Sequence, residues 1–538
     1  MPSAPSASPA VPEPSLRATI AGAFLHATRR EALDVPGALR LLAGADGHAS
    51  VHQLDGPEDL GPLHERLAAP DDRVRRGAWY TPTWLAEALV ARALPDRDAA
   101  DLGPVVDPAC GGGVFLLAAA ERLLALGIEP AHAVDRLRGQ DLDETAVAVA
   151  EAALWWWAAR HGVDVEPVVR VGDALLEDVG PAGAVVGNPP FLGQLRSATS
   201  VAAARRTALR MRHGDAVRAY TDPAWLFALT AVEQVVPGGH VALVLPQSFL
   251  AARDAAVVRD RIDAQADLVH TVVDDGRAFA ANVEVCAPVL RRRSVPTPAT
   301  NDWVTPLADA AGIPSIALGH RRTLGELASV HAGFRDEYYG IVDAVAEADD
   351  DAAGHLRLVT AGGIDPCRLL ERGERFAGRR WRDPVVDVTR LQGRSARWAQ
   401  AQAGPKLLVA TQTKVLEAVA DPAGGLLGSV PVLCVRPHDP DRLWHLLAAL
   451  HAPAVTAWLF RRSAGTALSA GACRPTKALL EALPVPDDGA AWDLAAEAAR
   501  AASAGQADLA DVARLADAAL GVDDAALMAW WDARRPRR

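Results

Sequence analysis

The sequence predicts an α/β fold, a doubly wound sheet domain followed by a separate α+β region, and three observations carry that reading. Over residues 77–293, short apolar runs alternate with amphipathic helical stretches, the β-α-β-α rhythm of a parallel sheet built through crossover connections. A glycine turn, Gly111-Gly112-Gly113, follows the apolar pair Val105-Val106 and opens a helix over Val114–Leu126. After Arg293 the chain becomes Pro/Thr-rich at SVPTPATNDWVTP, a linker composition, and shorter mixed elements follow.

The chain has 538 residues, enough for two or three domains with a large core. Its formal net charge of -12 argues against a protein coated in basic surface, although local patches rather than the total decide nucleic-acid binding. Cys110, Cys286, Cys367, Cys434 and Cys473 are scattered and form no CxxC pair, which argues against a zinc cluster or a disulfide framework and fits a reduced, cytoplasmic setting. No metal site is expected from the spacing of the histidines. No apolar run is long enough to span a membrane, and the first residues lack the basic start and apolar stretch of a signal peptide.

In chain order, residues 1–16 read as a disordered Pro/Ser/Ala tail and 17–76 as a helical lead-in. Within 77–293, strands are expected at Val105-Val106, Gly139–Asp143, Val171–Leu175, Ala184–Val186, Val241–Leu245, Leu268–Val273 and Val283–Leu290, with a long helix over Trp225–Val236. Residues 294–319 form the linker, 320–486 the α+β region, and 487–538 an Ala-rich helical segment. Trp155-Trp156-Trp157 is expected to end a helix and to pack inside.

The chemistry sits at strand ends, where open α/β sheets bind ligands. In Asp107-Pro108-Ala109-Cys110-Gly111-Gly112-Gly113 the glycines admit close backbone approach and the next helix N-terminus favours polar groups. Asp141, followed by Leu142 and Asp143, is placed to accept from ribose hydroxyls, and Asp143 suits a helix N-cap as well. Asp173-Ala174 reads equally as an acceptor for an adenine amine or as a turn. At Asn188-Pro189-Pro190-Phe191 an apolar strand delivers an amide, two stiffening prolines and an aromatic ring. Cys110, with no histidine near in sequence, reads as a small turn residue and not as a nucleophile.

Asp-Pro-Ala-Cys-Gly-Gly-Gly followed by Asn-Pro-Pro-Phe resembles the amino-methyltransferases that modify adenine N6 in DNA. With Tyr80-Thr81-Pro82 upstream of both motifs and a variable region downstream, the order is that of the gamma class. Two positions depart from the family pattern: Gly112, where Ser or Thr is common, and Phe191, where Tyr is usual. The resemblance implies a Rossmann-like doubly wound methyltransferase domain over 77–293, with a C-terminal α+β target-recognition domain over 320–486. It implies S-adenosyl-L-methionine as cofactor, held by Tyr80, Thr81, Pro82, Asp107, Ala109, Cys110, Gly111, Gly113, Asp141, Leu142, Asp173 and Ala174. The catalytic residues would be Asn188, Pro189, Pro190 and Phe191, with Asn188 and the Pro189 carbonyl accepting from the amine. Phe191 would stack on a flipped-out adenine, opposite Phe279; a core position suits Phe279 equally.

Two basic segments suit DNA. Residues 193–220 carry Arg196, Arg205, Arg206, Arg210, Arg212 and Arg218 against the single acid Asp215. Residues 371–414 carry eight Arg and two Lys against four acids, and Arg379, Arg380, Arg382, Arg390, Arg394 and Arg397 are candidates for phosphates or guanine edges. A solvated face is the plain alternative; the interleaved Trp381 and Trp398 favour nucleic acid. The resulting expectation is a site-specific adenine methyltransferase acting on double-stranded DNA in a restriction-modification or related defence setting. That setting leaves room for a separate restriction endonuclease or other defence subunits, with no membrane partner. An RNA or protein-glutamine methyltransferase, and a non-catalytic DNA-binding subunit, are the competing readings.

Overall fold

The structure, a computed structural model, describes residues 15–43, 52–68, 81–96, 102–191, 200–218, 221–273, 284–297, 300–319, 321–333, 335–348, 354–370, 373–465 and 472–536. Tyr80, Arg196 and Phe279 lie outside them. The chain divides into two units, Met1–Trp303 and Val304–Arg538.

The first unit is built on one eight-stranded sheet. Its strands are β1 Val105–Asp107, β2 Leu137–Asp141, β3 Val169–Val171, β4 Ala182–Gly187, β5 Val235–Leu243, β6 Leu245–Pro246, β7 Ala266–Val273 and β8 Val285–Arg292. The order is β3-β2-β1-β4-β5-β8-β6, with β7 also on β8. From β3 to β5 every pairing is parallel, and β1 and β4 are buried throughout or nearly so, as strands covered on both faces must be. The far edge departs from the expected parallel sheet, because β8 runs antiparallel to β5, β6 and β7. The reason is chain length: β7 and β8 are joined by too short a stretch to hold a crossover helix, whereas a short connection suits an antiparallel pair. The order reverses between β1 and β4, so their carboxyl ends flank the crevice where such sheets take ligands.

Two helices follow the apolar patterns closely, whereas three strands are displaced: β2 starts and ends two residues earlier than expected, β3 ends at Val171 where its strand was expected to begin, and β5 starts at Val235, inside the stretch expected to finish a helix and turn. The helix after the glycine turn is Val114–Ala125, and the one before β5 is Pro223–Gln234, capped by Asp222. Trp155, Trp156 and Trp157 are all buried in the helix Glu144–Arg160; the Trp156 indole donates to Glu31, the C-cap residue that follows helix Leu16–Arg30, and the Trp157 indole to Glu121. The stretch read as linker is packed in part. Trp303 is buried and donates to Asp263, Asn301 donates to the same carboxylate, and Thr305–Ala310 is helical in the second unit.

The second unit is α+β. Two four-stranded sheets, one of Val345–Glu347, Pro384–Val386, Leu356–Val359 and Leu426–Gly428, the other of Ala418–Asp421, Lys406–Val409, Leu433–Pro437 and Ala328–His331, precede a set of helices from Leu443 to Arg534. A small hairpin pairs Glu374–Phe376 with Arg379–Trp381. Trp381 and Trp398 are in the core with Phe376, Ile341 and Leu358, so they present no face to nucleic acid. Large rings in an arginine-rich stretch find the interior because ring burial outweighs the desolvation of one N–H; Trp381 satisfies its own by donating to the Phe376 carbonyl. Among the described residues no single helix is long and apolar enough to cross a membrane, no group of side chains suits a metal ion, and all five cysteines are free and buried.

Candidate active site

The glycine turn is tied to β2 through Asp141. One carboxylate oxygen accepts the Gly111 N–H at 2.9 Å and the other the Asp143 N–H at 2.9 Å, while the Cys110 N–H donates to the Gln140 carbonyl. Burial pushes the Asp141 carboxyl up from its ordinary range, and the charge of His64 acts in the opposite sense. Gly111 and Gly113 stand at φ +50° and +90°, a region that disfavours any side chain, and a Cβ on Gly113 would meet Ala150 at 3.2 Å. Asp143 caps the helix Glu144–Arg160 through Thr145 N–H. Cys110 is buried, and burial holds its thiol well above the usual range, which makes it a neutral packing group.

Asp107 ends β1 beneath this turn. It is 1 % exposed; Oδ1 accepts the Ala109 N–H at 3.1 Å, and Oδ2 is buried with no hydrogen-bond partner among the described residues. Burial pushes its carboxyl up to about 8. Across the crevice, Gly187 ends β4, and a Cβ there would lie 2.6 Å from Asp107 Oδ1, so the residue before Asn188 has to be glycine. Asn188 is half-buried, and its amide nitrogen donates to Thr81 Oγ1 at 3.0 Å. Thr81 is buried just ahead of helix Thr83–Ala93, with Pro82 as the N-cap residue.

A cavity of about 1150 Å³ joins these parts. Its lining includes Thr81, Asp107, Ala109, Cys110, Gly111, Asp141, Leu142, Asp173, Ala174, Asn188 and Pro190, which brings most of the expected cofactor residues to one place. Pro189 and Phe191 are buried, Phe191 at 2 % exposure, and neither lines the cavity. Asp173 is engaged. It accepts the Leu175 N–H, and Arg205 of helix Ser200–His213 grips it through two nitrogens at 2.7 and 3.2 Å. Arg205 therefore lines the cavity too, whereas Arg210, Arg212 and Arg218 are exposed and Arg206 is half-buried.

One wall was not foreseen. Pro57, Gly61, His64 and Glu65, on and just before helix Leu60–Leu67 in the expected lead-in, line the cavity with Arg160 from the end of Glu144–Arg160. Gly112 presses on Gly61 so closely that a Cβ at 112 would sit 2.5 Å from the Gly61 Cα. A glycine inside a short helix was the only local signal.

The residues fit S-adenosyl-L-methionine. Leu142, a large apolar side chain left 57 % exposed, offers a face for a base. Asp107 offers a buried oxygen to a cation, and the glycines keep the turn free of side chains.

In the second unit, Arg375 and Arg380 are directly opposed across the hairpin and exposed, with no acidic partner among the described residues. Arg379 lies over the Trp381 ring at 4.5 Å. Arg394 is bound to Glu337 and, at 3.3 Å, to Asp336. Arg382, Arg390 and Arg397 are exposed.

The sheet order and the cavity at its switch point define the class of the first unit, an S-adenosylmethionine-dependent methyltransferase fold. Residues 63–296 match the model of the N-6 DNA methylase family. No curated protein sequence matches the chain. Among solved structures, the chain is similar to the type IIL restriction-modification enzyme MmeI in complex with DNA, at 13 % identity and a TM-score of 0.53, over 96 % of this chain and 89 % of that one. Weaker likenesses are the type IIG restriction endonuclease BpuSI (11 % identity, TM-score 0.43, 97 % and 77 % covered) and the M protein of the type I restriction enzyme EcoKI (16 %, 0.31, 53 % and 58 %). The MmeI likeness extends the shared fold to both units.

Proposed function

We propose that the protein transfers a methyl group from S-adenosyl-L-methionine to N6 of an adenine flipped out of duplex DNA, as the modification activity of a restriction-modification or related defence system. The observation that carries this reading is the placement of Asn188: an oriented amide at the end of β4, in one cavity with the glycine turn after β1. The family match over 63–296 supports adenine N6 as the target.

An adenine amine is a poor nucleophile because its lone pair is delocalised into the ring. Asn188 Oδ1 and the Pro189 carbonyl accept its two N–H groups, which favours a pyramidal nitrogen and stabilises the positive charge that develops on attack. The bound cofactor supplies the electrophilic methyl on its sulfonium. Asp141 and Leu142 hold the ribose and base of the cofactor, and Asp107 receives its ammonium group. Helices Leu60–Leu67 and Glu144–Arg160 supply two walls of this cavity. Phe191 is packed inside in this conformation, so stacking on the adenine requires its ring to emerge when DNA binds. Arg206, Arg210 and Arg212 meet phosphates beside the flipped base, while Arg375, Arg380 and Arg382 meet the duplex elsewhere.

Single-molecule sequencing of DNA from a host expressing the protein should show N6-methyladenine in one sequence context. Asn188→Ala should remove the signal, with methyl transfer down by about a hundredfold or more. Unmodified host DNA with the parent protein, or full activity in Asn188→Ala, overturns the reading.

A further inference from the structure

We infer that the hairpin of Glu374–Phe376 and Arg379–Trp381 is a base-reading element, and that Arg375 and Arg380 read guanine edges in the major groove of duplex DNA. The inference rests on the proposed action on duplex DNA and names part of the sequence that the protein selects.

The hairpin is a short ribbon with two unlike faces. Ala377 and Gly378, at φ +50° and +75°, form the two-residue turn whose twist matches paired strands. One face is anchored. Phe376 and Trp381 are buried in the core of this unit, and the Trp381 indole donates to the Phe376 carbonyl. The Tyr338 ring lies 4.9 Å from that of Phe376, and its hydroxyl accepts the Ala377 N–H at 3.1 Å. The other face carries Arg375 and Arg380, exposed, in direct register, and with no acidic partner among the described residues. Cβ atoms so opposed stand about 4.5–5.5 Å apart, and like charges there lower stability, so folding gains nothing from the pair.

A two-stranded ribbon fits the major groove, which is about 12 Å wide. There the fork of an arginine meets guanine O6 and N7 through two hydrogen bonds, the commonest specific contact. A phosphate contact asks only for charge, which a side chain on any loop supplies. Reading a base asks for side chains held in register, and strands anchored through Phe376 and Trp381 hold them so. Arg379, over the Trp381 ring at 4.5 Å, and the exposed Arg382 flank the pair and suit neighbouring phosphates.

The test uses the full chain with Arg375→Gln, Arg380→Gln, Arg375→Lys and Arg380→Lys. Single-molecule sequencing of host DNA gives the methylated motif of each protein. Methylation rates on duplex oligonucleotides varied one pair at a time give the base discrimination. The parent motif should contain at least one G·C pair. Each Gln variant should lose discrimination for guanine at one position by about five- to a hundredfold, shift there toward adenine, and keep the rest of the motif. The Lys variants keep the charge and lose the fork, so they should lose the same discrimination while the salt slope of binding stays. A uniform fall in rate on every sequence, restored by Lys, would make the pair a phosphate contact and overturn the inference. So would one motif shared by parent and variants, or a parent motif without G·C. Thermal unfolding of the Gln variants should give midpoints at or above the parent's, and lower midpoints in both would make the pair structural. Unmethylated host DNA with the parent protein defeats the proposed function, and the hairpin is then read by binding alone. The full chain selects duplexes from a random pool, and selection that is absent, or the same for parent and Gln variants, overturns the inference.

Discussion

The methyltransferase cavity of the first unit and the arginine hairpin of the second handle ionisable groups that lack a counter-charge among the described residues in opposite ways. In the cavity an acid is hidden: Asp107 is buried with one oxygen that has no partner among the described residues, and it is pushed up to about 8 by burial. On the hairpin cations are displayed: Arg375 and Arg380 face each other across two short strands with no acidic partner among the described residues, and like charges so opposed cost stability. Each region also holds an arginine gripped by acids, Arg205 by Asp173 and Arg394 by Glu337 and Asp336. The difference separates charge that waits for a ligand from charge that builds the scaffold, a distinction that arginine counting cannot make.

The largest effect is expected at Asp107. A carboxyl at about 8 is mostly neutral at pH 7, and a cationic ligand favours its ionised form. Cofactor affinity should therefore fall as pH drops below about 8, by at most about tenfold per unit, and Asp107→Asn should flatten that dependence and weaken binding; calorimetry across pH 6–9 reads both. The sign for folding is opposite. The folded protein holds this proton between the ordinary value of 3.8 and about 8, so the contribution of Asp107 to stability declines as pH rises through that window. Thermal unfolding of parent and Asp107→Asn across pH 4–8 checks it.

Next comes the hairpin. Arg375→Ala with Arg380→Ala should weaken DNA binding roughly tenfold and lower the salt slope by up to about two, measured by fluorescence anisotropy over a salt series. An altered methylated sequence would assign them to base edges, and a uniform loss to phosphates. Unchanged affinity and slope would leave them a solvated face and erase the contrast.

The partnered arginines should behave differently. Arg394→Ala should lower stability by about 1 kcal/mol, read by denaturant midpoint, with the DNA salt slope unchanged; the figure is modest because the guanidinium is more than half exposed. Arg205→Ala frees Asp173 and should tighten cofactor binding about two- to fivefold. Weaker binding would instead make Arg205 part of the cofactor site.

Much of the candidate site was legible because it is local. A strand end, a glycine turn and a helix start lie within ten residues at 105–114, and the amide with its prolines is contiguous at 188–190. Asp141 was legible as the end of β2, and Asp143 as an N-cap. What escaped depends on partners far away in the chain: the packing of Gly61 on Gly112, the Arg205 grip on Asp173, and the contact between Thr81 and Asn188. Phe191 was expected at the surface of the site and is buried, because an aromatic ring beside two prolines turns toward whatever apolar space its neighbours leave.

By itself the sequence determined the class of fold, the strand-end positions of the chemistry and the residue types that carry it, since these follow from apolar periodicity, glycine stereochemistry and short spacings. Tertiary structure alone decided the antiparallel β8, the burial of Trp381 and Trp398, the cavity wall from the lead-in, and which arginines are spent on internal acids. Those outcomes depend on long-range packing and on pairing charges distant in sequence, and no local pattern encodes either.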